Sequence, residues 1–212
     1  MLNMKRSVAV AAALSLSVGG GALAVTAANG DDPVGVYAPP IASVSTSTSE
    51  AFSLFRQADA RADDAMPSDA VEQVATSQRY GRNADLARGV RTANGRGWAV
   101  PGADTLCLVV KDPVDGYGTT CRPQQEAARF GVVLIMVAPD DPSVARVSAV
   151  LPDGARAEAV GAGKAQTLAP DAEGAVAAVV PTGSTIEVTS PDGAKNKFAI
   201  PSEFPTSASP QG

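Results

Sequence analysis

The 212-residue chain has a formal net charge of −5, 4% aromatic residues and no histidine. The missing histidine excludes Ser-His-Asp and Cys-His catalysis and also histidine metal sites. The acidic balance and the few aromatic rings disfavour nucleic acid and anionic membrane surfaces as partners.

The N-terminus has the pattern of an export segment. Lys5-Arg6 is followed by an uncharged stretch from Ser7 to Gly30 that is rich in Ala, Val and Leu. A basic pair before an apolar run is typical of a signal peptide or a signal anchor. Ala22-Leu23-Ala24 suits cleavage, but the stretch also exceeds the roughly 20 residues that span a bilayer as a helix. Residues 1–28 are therefore predicted to be either a cleaved signal peptide or a retained single-pass anchor. In the first case the protein is secreted. In the second it contacts the membrane through this segment, with its C-terminal domain outside the cytoplasm.

The next residues are predicted to be a linker and a helix. Residues 29–50 are rich in Ser, Thr, Pro and Asp, which favours a flexible linker. The apolar Ala51–Arg56 segment is predicted to dock on the domain that follows. Asp69 and Glu72 resemble a capping box, which predicts a helix that ends near Tyr80.

Strand patterns begin at Leu86. Leu86–Thr92 and Gly97–Val100 flank Asn94-Gly95, a strong hairpin signal. Leu106–Val110 is predicted to be a buried strand, and Gln124–Arg129 a single helical turn. Gly131–Ala138 is the most apolar run of the domain and is predicted to be a central strand.

Two Pro-Asp-Gly turns predict two further hairpins, over Val147–Val160 and Thr185–Ile200, with a strand at Ala175–Val180 between them. Short strands separated by turn residues predict a mainly β fold, a small antiparallel sandwich or barrel-like domain. This single extracytoplasmic domain is predicted over residues 51–200. Residues 201–212 are predicted to be a disordered tail.

The only two cysteines are Cys107 and Cys121. Exported cysteines tend to pair, so these two are predicted to form a structural disulfide. Closing a loop of about 15 residues stabilises a fold by about 3 kcal/mol. Two cysteines without histidine do not make a standard zinc site. Trp98, close to the cysteines, is predicted to pack in the core rather than to face a ligand.

No motif in the sequence predicts a catalytic residue, a bound cofactor or a metal site. The favoured interpretation is a non-enzymatic binding or structural module of the cell envelope, whose partner is an envelope protein or a ligand. The alternative is an envelope hydrolase that uses carboxylates near the cysteine loop, with Asp104, Asp112 and Asp115 as candidates. That alternative requires two of these acids to converge in a cleft, one of them shielded from water.

Several motifs together resemble those of a group of uncharacterised exported or membrane-anchored proteins of actinobacteria. They are Phe52-Ser-Leu-Phe-Arg56, Trp98-Ala-Val-Pro-Gly102, Leu106-Cys-Leu-Val-Val110, Cys121 and Leu151-Pro-Asp-Gly-Ala-Arg156. The resemblance covers about Phe52 to Ile200. It implies a disulfide-containing β-rich domain and brings no catalytic residues to transfer.

Overall fold

The computed structural model describes residues 39–57, 61, 64–76, 81–112, 116–138, 140–161 and 164–202. The predicted signal segment at 1–28, the first part of the predicted linker (29–38), most of the predicted tail (203–212) and Asp115 lie outside these ranges. None of the helices within the described ranges qualifies as a membrane span.

The helical elements are short. They include α1 (Thr46–Ala51), α2 (Ser68–Thr76), α3 (Gln124–Phe130) and 3-10 turns at Ser53–Phe55 and Ala84–Leu86. The single turn predicted at Gln124–Arg129 is confirmed by α3. The helix predicted after Asp69 is present as α2, but Asp69 is its second residue. Asp69 therefore does not occupy the position before the helix that the predicted capping box gave it.

The fold is mainly β, as predicted, and its strands are antiparallel. They are β1 (Arg88–Thr92), β2 (Gly95–Pro101), β3 (Thr105–Lys111), β4 (Tyr117–Pro123), β5 (Val132–Ala138), β6 (Asp141–Val150), β7 (Arg156–Gly161), β8 (Lys164–Leu168), β9 (Ala175–Pro181), β10 (Thr185–Thr189) and β11 (Lys195–Ala199).

These strands form three sheets in the described part of the chain. Sheet A has the order β1-β2-β3-β4, sheet B the order β5-β6-β9, and sheet C the order β11-β10-β7-β8. None of the three closes into a barrel. The architecture therefore has one more sheet than the predicted two-sheet sandwich.

Apolar side chains place sheet B between the other two. One core joins sheets A and B and contains Val90, Leu108 and Val132. A second core joins sheets B and C and contains Val147, Val176 and Ile186. Because both faces of sheet B are covered, β5 is apolar at successive positions instead of alternating.

Strand β5 does not have the central position predicted for it. It lies at the edge of sheet B and pairs only with β6, the middle strand of that sheet. A continuous apolar run indicates burial on two faces, and it carries no information on whether both strand edges are paired.

One of the two predicted Pro-Asp-Gly hairpins is wrong. The turn at Asp192 joins β10 and β11 as predicted, with Thr189 opposite Lys195. The turn at Asp153 instead carries the chain from β6 in sheet B to β7 in sheet C. The turn residues reverse the chain in both places, but the apolar faces of the strands decide which partners they take.

The N-terminal arm, residues 39–57, is part of the fold. Its Phe52, Leu54 and Phe55 are buried in the core between sheets A and B, which confirms the predicted docking of the Ala51–Arg56 segment. The linker predicted to reach Glu50 ends earlier, because α1 begins at Thr46. The hydroxyl of Ser45 accepts a hydrogen bond from the backbone of Thr48 and so caps this helix.

Each Pro-Asp-Gly turn is held by an arginine. Arg56 of the N-terminal arm pairs with Asp153 at 2.5 Å. Arg129 of α3 pairs with Asp192 at 3.0 Å. The two turns lie side by side, since a Cβ added at Gly154 would contact Pro191 at 3.8 Å. The helical segments thus fix the loops at one end of the sheets.

Candidate functional site

The predicted disulfide is present in sheet A, where it joins β3 to the edge strand β4. Cys107 and Cys121 are directly opposite each other on β3 and β4, with their Cα atoms 4.0 Å apart. Both belong to a cluster on the outer face of the sheet, which α2 covers through Val74. Cys107 has no exposed surface and Cys121 is partly buried, which suits a structural bond.

Trp98 is buried in the same cluster, as predicted. Its ring meets that of Tyr117 edge to face, with centroids 6.3 Å apart. The Tyr117 hydroxyl donates to Asp69 of α2 at 3.0 Å. Burial, followed by this hydrogen bond, raises the pKa of Tyr117. The hydrogen bond from Tyr117, whose ring packs on Trp98, holds α2 against the sheet.

Two of the acids proposed for hydrolysis, Asp104 and Asp112, do not converge. Asp104 directly precedes β3 and Asp112 directly follows it. Eight residues of extended chain separate them by roughly 25 Å. This pair is too far apart to act on one substrate bond. Asp115, the third candidate, is outside the described residues, so a pair of Asp112 with Asp115 stays a prediction.

A charged cleft lies beside β1, the edge strand of sheet A. Its volume is about 290 Å³. Backbone and apolar atoms of Gly89, Val90 and Gly95 contribute to its wall. Its charged lining consists of Arg61, Arg91, Arg96, Asp171 and Glu173.

Asp64 does not line this cleft, but it bonds to two residues that do, Arg61 and Gly89. Its carboxylate is only 4% exposed and accepts hydrogen bonds from the backbone N–H groups of Arg61 and Gly89, both at 2.8 Å. The guanidinium groups of Arg61 and Arg88 lie 3.4 and 3.8 Å away. The buried charge is therefore compensated from several directions.

This environment favours the ionised carboxylate. Burial acts to raise the pKa of Asp64, but the N–H groups of Arg61 and Gly89 and the two guanidinium groups outweigh it and hold the pKa below its ordinary value. The hydrogen bond to Glu173 raises the pKa of Arg61. Both shifts favour the charged forms of Asp64 and Arg61 at neutral pH, which suits a positioning role and not proton transfer.

The same groups close the free edge of sheet A. Gly89 of β1 donates its N–H to Asp64, and its carbonyl oxygen accepts from Arg61 Nη2 at 3.2 Å. Arg61 also pairs with Glu173 of the β8–β9 loop. Side chains thus replace a neighbouring strand at this point and leave no bonding groups of Gly89 for an incoming strand.

The mouth of the cleft is formed by a cross-strand pair of like charges. Arg91 and Arg96 are directly opposite on β1 and β2. Asp171 approaches Arg91 at 3.7 Å, and its other oxygen accepts N–H groups of Glu173 and Ala175. Guanidinium and carboxylate groups at one opening suit hydrogen bonding to a small polar or ionic ligand.

The sequence pattern does not single out these residues. The partners of Asp64 come from β1 and from its own turn, so no local spacing shows the cluster. A signal was present in Arg88-Gly89, because an arginine at the start of a buried strand requires a carboxylate from elsewhere.

No protein family, curated protein or solved structure matches the chain significantly. The resemblance to exported actinobacterial proteins therefore stays a prediction. Within the described ranges there is no group of three or more potential metal ligands.

Proposed function

We propose that this protein is an exported, non-enzymatic module of the cell envelope, either secreted or held by its N-terminal apolar segment. The observation that carries the proposal is the buried Cys107–Cys121 disulfide, which staples two strands inside a core. Such bonds persist in oxidising compartments. The wide separation of Asp104 and Asp112 along β3 argues in the same direction, against a hydrolase.

The charged cleft beside β1 is the candidate ligand site of this module. Its arginines and carboxylates are already ion-paired with one another in part, so a ligand would bind by exchanging or bridging these pairs. This supports a small ligand that carries both signs of charge or several hydrogen-bonding groups.

Export is tested by the intact mass of the protein recovered from cells, with and without reduction and alkylation. We expect a species either cut near Val25 or Asn29 or retained whole in the membrane fraction, with both cysteines blocked until reduction. Cytoplasmic protein with freely alkylated cysteines contradicts the proposal.

Ligand binding is tested by a thermal-shift screen of small charged compounds against the purified protein. We expect a stabilising compound to lose its effect in Arg91→Gln and to keep it in Arg156→Gln, an exposed arginine on sheet C. A hydrolytic activity that Asp112→Asn abolishes would contradict the non-enzymatic assignment.

A further inference from the structure

One edge of the fold is open. Strand β5 pairs with β6 on one side, and in the described part of the chain no second strand is hydrogen-bonded to its other side. Strand β4 of sheet A packs on the side chains of Leu134 and Met136 without joining the ladder. An unpaired strand edge presents a row of N–H and C=O groups to any extended segment that approaches it.

The side chains of this edge strand are apolar and partly exposed. Leu134, Ile135 and Met136 are half-buried, and Val137 is 37% exposed. The strand from Val132 to Ala138 contains no charged residue. Natural edge strands are commonly protected by charges, prolines or covering loops, and none of these lies within β5.

Charges of opposite sign flank the two ends of β5. Arg129 lies just before the strand, at the end of α3, and remains about half exposed although it pairs with Asp192. Asp140 and Asp141 lie just after it, and the side chain of Asp140 is 91% exposed. If a second β5 pairs antiparallel about a two-fold axis near Ile135, the basic end of each copy meets the acidic end of the other.

Arg122 adds an unsatisfied donor near the basic end. It reaches from β4 in sheet A to the ring of Phe198 on β11 in sheet C, with its guanidinium carbon 4.9 Å from the ring centroid. It therefore spans the edge of the intervening sheet B. Its buried Nη1 has no hydrogen-bond acceptor among the described residues. A carbonyl group of an added strand would satisfy it.

We infer that β5 is a self-association edge, at which two copies of this chain pair antiparallel and join their B sheets into one continuous sheet. Self-pairing needs a single patch that complements itself, and β5 has this property because its centre is uncharged and its ends have opposite charges. The occupant is a second copy. This inference concerns a surface distant from the cleft and does not depend on the proposed function.

The test is sedimentation of the protein as recovered from cells, from about 1 µM to about 100 µM, a range that covers dissociation constants of ordinary homodimers. We expect a concentration-dependent dimer. Val137→Lys should weaken association by about 100-fold or more, since it places like charges at the paired edges. Val160→Lys, the same change at a similarly exposed position on sheet C, should leave the dimer intact.

A charge exchange tests the direction of pairing. Arg129→Glu and Asp140→Lys should each weaken the dimer, and the double variant should restore it to within about three-fold. The amides of β5 should exchange hydrogen more slowly in the dimer than at dilution, a readout that a general loss of folding would not give.

A protein that stays monomeric over this range overturns the inference. So does a dimer that survives Val137→Lys, and so does protection of the β5 amides that is independent of concentration, because something in the same chain would then cover the edge.

Discussion

Strands β1 and β5 each form the edge of a sheet, but their surroundings differ. At β1 the side chains of Asp64 and Arg61 take the N–H and C=O groups of Gly89. At β5 the described residues leave the equivalent groups without backbone partners. Both strands sit against the same apolar core between sheets A and B. Charged side chains therefore block β1 at Gly89, whereas β5 has the unprotected edge that the proposed self-association would use.

The largest effect on stability is expected from removing the charge of Asp64, whose carboxylate takes the N–H group of Gly89 at the edge of β1. Asp64→Asn should lower the free energy of unfolding by about 3–5 kcal/mol, because the guanidinium groups of Arg61 and Arg88 lose their buried counter-charge. Urea unfolding measures it. Asp104→Asn, at an exposed position outside both surfaces, is the matched control and should change little. A loss below about 1 kcal/mol would mean that the Asp64 carboxylate contributes little to compensating Arg61 and Arg88.

The pH dependence sharpens this test. The pKa of Asp64 in the folded protein lies below its unfolded value, so its contribution is complete above the unfolded pKa of about 3.9 and is lost as the pH falls through the folded pKa. The stability difference between the wild type and Asp64→Asn should be constant near neutral pH. It should narrow below about pH 4. A difference that grows on acidification contradicts the charged state assigned to Asp64.

Removing the disulfide tests whether the stability of the fold and the association at β5 are independent. Cys107→Ala with Cys121→Ala should lower the free energy of unfolding by about 3 kcal/mol through the lost loop closure in sheet A. The β5 edge belongs to sheet B, so the dimer should keep its dissociation constant under conditions where both proteins are folded. Unfolding and sedimentation on the same samples measure the two effects. If the free energy of unfolding and the dimer affinity fall together, the state of sheet A affects pairing at β5 in sheet B.

Gly131 sets the path of the chain into β5. It has a φ of +70°, and a Cβ added there would lie 2.2 Å from the carbonyl oxygen of Val150. Gly193, with a φ of +85°, has open space around it. Gly131→Ala should therefore cost about 1–3 kcal/mol more than Gly193→Ala, which carries the backbone strain without the clash. Equal losses in thermal or urea unfolding would show that the chain entering β5 shifts freely.

The smallest effect on stability is expected from the lysines of β11, the edge strand of sheet C. Lys195 and Lys197 both pair with Glu187 at the surface. Replacing both with valine should create a second open edge, so that species larger than a dimer form. Lys111→Val, on an interior strand, is the control for added apolar surface. If sedimentation shows no larger species, charge is not what keeps this edge unpaired.

Local features of the fold could be predicted from the sequence. The hairpin of β10 and β11 was predictable because its turn and both of its strands are contiguous. So was the one that joins β1 to β2, although Thr92 pairs with Gly95 and its turn lies at Ala93-Asn94, one residue earlier than expected. The disulfide followed from export and from a cysteine count of two.

Features decided by distant partners could not be predicted. The turn at Asp153 has the same chemistry as that at Asp192, yet its strands enter different sheets because β6 is covered on both faces. Ser45 and Thr48 looked like linker residues, but Gln124 of α3 bonds to both hydroxyls at 2.6 Å. The cluster around Asp64 depends likewise on contacts between segments that are far apart in sequence.

The docking of the N-terminal arm would limit how far this domain can move from a membrane, if the N-terminal segment is a retained anchor. Ile41 bonds to Gly81 and Asn83, so the chain is fixed to the domain from its first described residues onward. Between the end of the uncharged stretch at Gly30 and Pro39, the chain reaches at most about 30 Å when fully extended. With a retained anchor the domain would stay within this distance of the bilayer surface. It would sample only a thin layer of the periplasmic or cell-wall space next to the bilayer, and its neighbours would be other proteins anchored at the same height.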